Sequence, residues 1–353
     1  MAGRNQHTIP QSLLRGFGTR RGKETYVTVY HRERGVFAPS TRGIAAERLF
    51  YSDLRTEGDV PTLDERITDY ENARFDSLLQ RLRASAPSEP LAPEDPAEFV
   101  THLSVRTAHF RDAGGEGAAR LLNAIGDLFR DRDFVRWHFG LDGSTPAGAM
   151  REQLDELWQK HEPELIAMGF TKRSYDAAAF AIGKAAFENN FGRVEADVHR
   201  ALSNIEARAA ESAQSAQRQS LDRNLVPPLR MEKLQNLHWR VDKGPSDGLI
   251  LPDCVAIGID DGGANPLAFS DPDSLAQVLL PLSHDRLLVG KRDKAFAAIA
   301  NPNELLSSCA WDFFVARDRT ADLDQLRPLI RTATTDLFNR DIGEALAAYR
   351  GGA

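Results

Sequence analysis

Two stretches patterned for β-strands stand near opposite ends of this chain, and a long stretch patterned for helix separates them. Tyr26 to Tyr30 reads Tyr-Val-Thr-Val-Tyr, and the polar turn Arg32-Glu33-Arg34-Gly35 leads into Val36-Phe37-Ala38, which predicts a β-hairpin over 25–38. Strand-like runs return only after Pro227-Pro228, at 238–241, 254–259, 278–282 and 286–289, between Gly, Pro and Asp turns. A lone hairpin is marginal in water and leaves both edges unpaired, so pairing it with the late strands is the simplest arrangement. The expected fold is α+β and mainly helical, with a small mixed sheet joining the N-terminal hairpin to the C-terminal strands. One extended domain over 1–353 is expected, with the N-terminal motif and hairpin in 1–60, a helical region in 61–225, and late strands and closing helices in 226–353.

The helical region opens with a signature. Thr62 and Glu65 form a capping box, and Leu63, Ile67, Tyr70, Leu78 and Leu82 recur at helical spacing to about Ala84. Prolines at 87, 90, 93 and 96 then fall at every third residue, the spacing of polyproline II, which predicts an exposed loop. Asp95, Pro96 and Glu98 fit N-cap, N1 and N3 of a new helix. Helical patterning continues to about Gln219, with breaks near 114–117, 140–145 and 169–171. Asp260-Asp261-Gly262-Gly263 reads as a hairpin turn, two helices over 302–315 and 323–349 close the chain, and 351–353 is a frayed tail.

Composition limits the function classes. A 42% hydrophobic content suffices for a real core, and a net charge of -7 argues against a generally basic nucleic-acid binder while leaving room for a local basic groove. The longest nearly apolar run, Ala177 to Phe187, contains Lys184 and is too short to span a bilayer, so no membrane association is expected. The N-terminus lacks the apolar core of a signal peptide, which points to the cytoplasm. Cys254 and Cys309 fit neither a disulfide framework nor a four-thiolate zinc site and read as free thiols.

The most distinctive stretch is His7-Thr8-Ile9-Pro10-Gln11-Ser12-Leu13-Leu14-Arg15-Gly16-Phe17. If a helix starts at Pro10, Gln11 and Arg15 stand one turn apart, with His7 just before it. Such a set can hold a phosphate or carboxylate. Equally, it can cap a docked helix whose buried face is Leu13, Leu14 and Phe17. The motif His-x-x-Pro-Gln-x-x-Leu-Arg-x-Phe, followed by the Val-Thr-Val-Tyr strand and by Gly43-Ile44-Ala45-Ala46-Glu47-Arg48-Leu49-Phe50-Tyr51, resembles the bacterial protein family catalogued as domain of unknown function 4238. Glu71 within a helix, Arg106-Thr107 after an apolar run, Pro281-Leu282-Ser283 before a strand and Asn301 at a late helix start extend the resemblance over nearly the whole chain. It implies no assigned activity. Thr8 and Ser12 stand where the family usually has aromatics, and Pro252-Asp253-Cys254-Val255 keeps only Asp253 of a Ser-Asp-Asn-Pro-like turn.

On the helix from Glu98, the spacing of His102, Arg106 and His109 predicts a cationic stripe beside the apolar face of Phe99, Leu103, Thr107 and Phe110. It suits a phosphodiester groove, or an ion pair with a carboxylate such as Glu47 or Glu71. No histidine pair has metal-ligand spacing, although the sheet argument allows a mixed site of His7, Glu47, Asp253 and another carboxylate that would take a divalent metal ion. Nucleophile elbows, Walker loops and dinucleotide fingerprints are absent from the sequence.

Two readings follow. In the first the chain is a hydrolase acting on nucleic acid, a phosphodiesterase or nuclease. His7, Glu47 and Asp253 do the chemistry, and Gln11, Arg15, Arg106, His102 and His109 hold the substrate. The alternative is a noncatalytic interaction or sensor protein with a protein partner, whose polar cluster is structural.

Overall fold

The computed structural model describes residues 5–48, 50, 62–143, 145–293 and 299–351. Leu49 and Tyr51 of the N-terminal motif, and Gly352 and Ala353 of the expected tail, lie outside the described residues. The fold is α+β and mainly helical, and every strand ladder described is antiparallel rather than mixed. The chain forms two compact units, residues 1–116 with 210–353, and residues 117–209.

The larger unit holds the sheets. Its six-stranded sheet runs Gly263–Pro266, Ile257–Asp260, Gln277–Ser283, Arg286–Lys291, His238–Lys243 and Pro90–Leu91. Pro281 sits inside the third of these. It is tolerated because the neighbour Ile257–Asp260 pairs only with Gln277 to Leu279, and the ladder to Arg286–Lys291 shifts register just after the proline. At the far edge, Pro90 and Leu91 pair with Arg240 and Trp239, so the proline-spaced segment contributes a two-residue edge strand instead of running wholly as loop. An edge is where a residue without an N–H belongs. The next helix, Glu94–Arg106, begins slightly early and takes Pro96 into its first turn, where no intrahelical N–H is required.

The N-terminal hairpin does pair with the C-terminal part of the chain. Thr28–His31 and Gly35–Phe37 form a four-stranded sheet with Phe313–Ala316 and Leu251–Pro252. This corrects the expected helix over 302–315: the helix Pro302–Cys309 stops, and Phe313–Ala316 becomes the central partner of the hairpin. Tyr30 stacks on Phe314 with ring centroids 4.8 Å apart. The last expected helix is also divided, into Ala321–Leu326 and Thr332–Gly351, with Arg331 between them at φ +76°.

The expected capping box at Thr62 and Glu65 is present, and the helix it starts continues to Ala84 through a π-turn at Glu71–Phe75. The expected break at 114–117 is absent, since the helix Ala108–Arg130 runs through it. A break occurs instead at Thr107, whose extended backbone (ψ 149°) ends the helix at Arg106. Gln217 caps that break by donating from Nε2 to the carbonyls of Val105 and Thr107, each at 2.9 Å.

Residues 117–209 are helical: Arg132–His138, Gly148–Ala167 and the adjoining parts of Ala108–Arg130 and Lys172–Arg223. Gly140 makes the turn between two of them at φ +67°, where a Cβ would lie 1.9 Å from the Ala147 carbonyl oxygen. Among the described residues no helix is long and apolar enough to cross a membrane.

Candidate functional site

The N-terminal motif folds as its spacing predicts. Pro10 precedes a short helix, Gln11–Leu14, and Leu13, Leu14 and Phe17 are fully buried. His7 ends the strand Asn5–His7, which pairs with Ala46–Arg48 in the register Gln6 to Glu47 and His7 to Ala46. Alternation along the strands therefore turns His7 and Glu47 to opposite faces.

On His7's side, one ring nitrogen, Nε2, ends a chain of side-chain hydrogen bonds. Arg15 donates from Nη2 to Gln11 Oε1 (3.2 Å), which fixes the amide so that Gln11 Nε2 donates to His7 Nε2 (2.7 Å). The imidazole is thus neutral, with its proton on Nδ1. Burial and the neighbouring Arg106 hold its pKa below the usual histidine value, with the Ile44 backbone opposing them. Beneath it, Arg106 donates from Nη2 to the His7 carbonyl (2.5 Å) and pairs with Glu71, which the π-turn carries. Arg106 is 1% exposed. Gln6 bonds Asp64, whose buried carboxyl is raised above its ordinary pKa.

His102 and His109 part company at Thr107. His102 keeps its expected place one turn before Arg106, accepting from Arg106 Nη1 at Nε2 (3.4 Å) and donating from Nδ1 to the Leu225 carbonyl (3.0 Å). Burial pushes its pKa down to about 4. His109 lies on the following helix, so the expected three-residue stripe does not form. Its ring packs against Phe269 and Trp311, at centroid distances of 5.5 and 5.9 Å, and burial pushes its pKa down to about 3. Neither ring nitrogen meets a hydrogen-bonding group among the described residues.

The two expected carboxylates are engaged elsewhere. Glu47 forms a two-pronged pair with Arg111, at 2.8 and 3.1 Å. Asp253 accepts from the backbone N–H groups of Trp311 (2.7 Å), Asp312 (2.7 Å) and Phe313 (3.2 Å). It thereby fastens the loop that enters strand Phe313–Ala316. Burial pushes its carboxyl up to about 7, against the pull of those three donors. Among the described residues no group of three or more His, Cys, Asp or Glu side chains is placed to hold a metal ion.

Sequence spacing gave no sign of Arg83. Its guanidinium donates to the carbonyls of Ser12 (3.2 Å), Leu13 (3.1 Å) and Leu282 (2.9 and 2.5 Å), tying the motif helix to the turn after Pro281-Leu282-Ser283. The Gly16 carbonyl accepts the His284 N–H (3.0 Å), completing the joint. Glycine at position 16 lets the two segments approach closely, because a Cβ would crowd Arg83 Nη2 and lie 2.9 Å from the Leu282 oxygen. The signal available in sequence was only that both joined segments belonged to recognisable motifs.

These features lie in a stretch that the family described as "Protein of unknown function (DUF4238)" matches from residue 5 to residue 340. The chain belongs to that family. No curated protein and no solved structure matches it.

Proposed function

We propose that the protein is noncatalytic and acts through interaction or sensing, with the polar cluster around His7 and Arg106 serving to hold its fold. The observation carrying this reading is that the chain itself engages these side chains. His7 Nε2 is taken by Gln11, Arg106 is buried against Glu71 and a backbone carbonyl, Glu47 is paired with Arg111, and Asp253 binds three backbone donors. A general base or phosphate ligand has to reach substrate, and groups engaged in this way are already committed to the fold. Three cavities in the larger unit, of about 470, 580 and 300 Å³, are lined by residues outside this set. Buried free thiols at Cys254 and Cys309 support a reducing compartment, the cytoplasm. A protein partner suits the second unit, where Leu157, Ile166, Met168 and Ile182 stand exposed.

The nuclease reading draws on one observation, the exposed Arg15 guanidinium at the surface end of the Gln11–His7 chain. Melting temperatures and nucleic-acid cleavage by wild type, His7→Ala and Arg106→Ala separate the two. A structural cluster gives variants that melt early and a wild type that cuts neither DNA nor RNA with Mg²⁺, Mn²⁺ or Zn²⁺. Wild-type cleavage that both variants lose at unchanged melting temperature would sink the structural reading.

A further inference from the structure

A cavity of about 300 Å³ opens where the turn after Leu282 meets the end of strand Phe313–Ala316, lined by Ser246, Asp247, His284, Asp285, Arg317 and Asp318 over a floor that includes Leu249 and Leu323. That volume is at the small end of ligand sites. Its walls are fixed by backbone bonds: His284 N–H to the Gly16 carbonyl (3.0 Å), Leu249 N–H to the His284 carbonyl (2.7 Å), and Gly244 N–H to the Asp285 carbonyl (2.9 Å). Arg83 braces the same turn from beneath, and Asn303 donates from Nδ2 to the Gly248 carbonyl (2.8 Å) on the opposite wall. A cavity framed this way is pre-formed.

The lining carries both signs of charge. Arg317 donates from Nη1 to His284 Nε2 (2.8 Å), and His284 Nδ1 faces the Gly16 carbonyl (3.4 Å), so the imidazole is a prop that holds the guanidinium in place. A guanidinium has five N–H donors, and this one is half-exposed, with His284 taking one of them and the Asp318 carboxylate lying 3.9 Å from Nε, a loose pair at the rim. Asp285 is tied to Ser283 Oγ (2.7 Å), whereas Asp247 on its turn and Asp318 beside Arg317 are exposed at the rim. A simple anion entering here meets three carboxylates. A simple cation meets Arg317, and the carboxylates do not converge as a metal ion requires. A molecule bearing both charges satisfies both sets.

We propose that this cavity binds a small zwitterion, a free α-amino acid, with its carboxylate on Arg317 and its ammonium group at Asp247 and Asp318. The site uses none of the residues on which the structural reading of the N-terminal cluster rests, and either can fail alone.

The test is a melting-temperature screen of the full chain against each common L-amino acid, with acetate, methylamine and N-acetylglycine amide as controls, repeated on Arg317→Gln and Asp247→Asn. Both substituted side chains are exposed, so the unliganded variants should melt close to wild type. The proposal predicts that at least one free amino acid raises the wild-type melting temperature by about 2–5 °C at saturation, that no control does so, and that both variants lose the shift. It is overturned if no amino acid produces a shift, if acetate or methylamine alone matches it, or if the shift survives in either variant.

Discussion

The two compact units bury their side chains to different depths. In residues 1–116 with 210–353, sheet faces and helices enclose side chains such as Phe17, Tyr30, Phe99, Leu279 and Phe314 completely. In residues 117–209, Val135 is the one hydrophobic side chain at 0% exposure among those described. Of the eight large hydrophobics that stand exposed among the described residues, that shorter unit holds six, Leu121, Leu157, Ile166, Met168, Ile182 and Ile205, against Leu229 and Tyr349 in the larger one. The deep unit is also where charge is buried, at Arg106, Asp64 and Asp253. Burying a charge demands a complete set of partners, and only a core thick enough to supply them can keep it.

Five substitutions sharpen or break that contrast. The largest effect is expected for Arg106→Ala, which strands Glu71 and the His7 carbonyl and should cost about 3–5 kcal/mol in denaturant unfolding; a loss typical of a surface site would show that the pair is dispensable. Gly16→Ala forces Arg83 or the Leu282 backbone aside and should cost about 1–3 kcal/mol by the same measurement, since the Leu282 oxygen at 2.9 Å belongs to backbone. His109→Phe should go the other way and stabilise by about 1 kcal/mol, because it removes buried ring nitrogens without partners and keeps the aromatic packing. Smallest are Met168→Ser and Ile182→Ser in the other unit, which should move stability by no more than about 0.5 kcal/mol. A larger loss at either position would mean that the exposed apolar residues contribute to the core.

The pH dependence carries the same signature. His102 and His109 stay neutral in the folded chain down to about 4 and about 3, whereas an unfolded histidine takes up its proton near 6.5. The unfolded chain therefore binds more protons as pH falls from about 6.5 toward 4, and stability should drop by about 3 kcal/mol per histidine across that window. Asp253, pushed up to about 7, titrates nearby with the opposite sign. The informative quantity is thus the difference between wild type and His109→Phe, whose acid loss should be smaller by one histidine's share. Equal losses would show that His109 is not buried as described.

What could be read from the sequence was local. The hairpin at Arg32 to Gly35, the capping box at Thr62 and Glu65, the turn at Asp260 to Gly263 and the buried face of Leu13, Leu14 and Phe17 each follow from adjacent residues. Phe313–Ala316 was not legible, because Phe-Phe-Val-Ala continues a helical pattern and becomes a strand through pairing with Thr28–His31 far away in sequence. The stripe of His102, Arg106 and His109 failed at Thr107, whose break depends on Gln217 from a distant helix. Glu71 was recognisable as a partner for Arg106, whereas Arg83 was invisible: its acceptors are backbone carbonyls, which every residue has.

Native-state hydrogen exchange tests the central claim, that the N-terminal motif is part of the framework. The informative amides are Thr8, bonded to the Ala45 carbonyl, Leu14, bonded to that of Pro10, and His284, bonded to that of Gly16. A framework motif predicts that these exchange only through global unfolding, with the protection of the central strand Gln277–Ser283, while amides of the helix Gly148–Ala167 exchange through smaller openings. Local opening of Thr8, Leu14 and His284 at a free energy well below that of the central strand would contradict the claim, since lids and other moving functional segments open in that way.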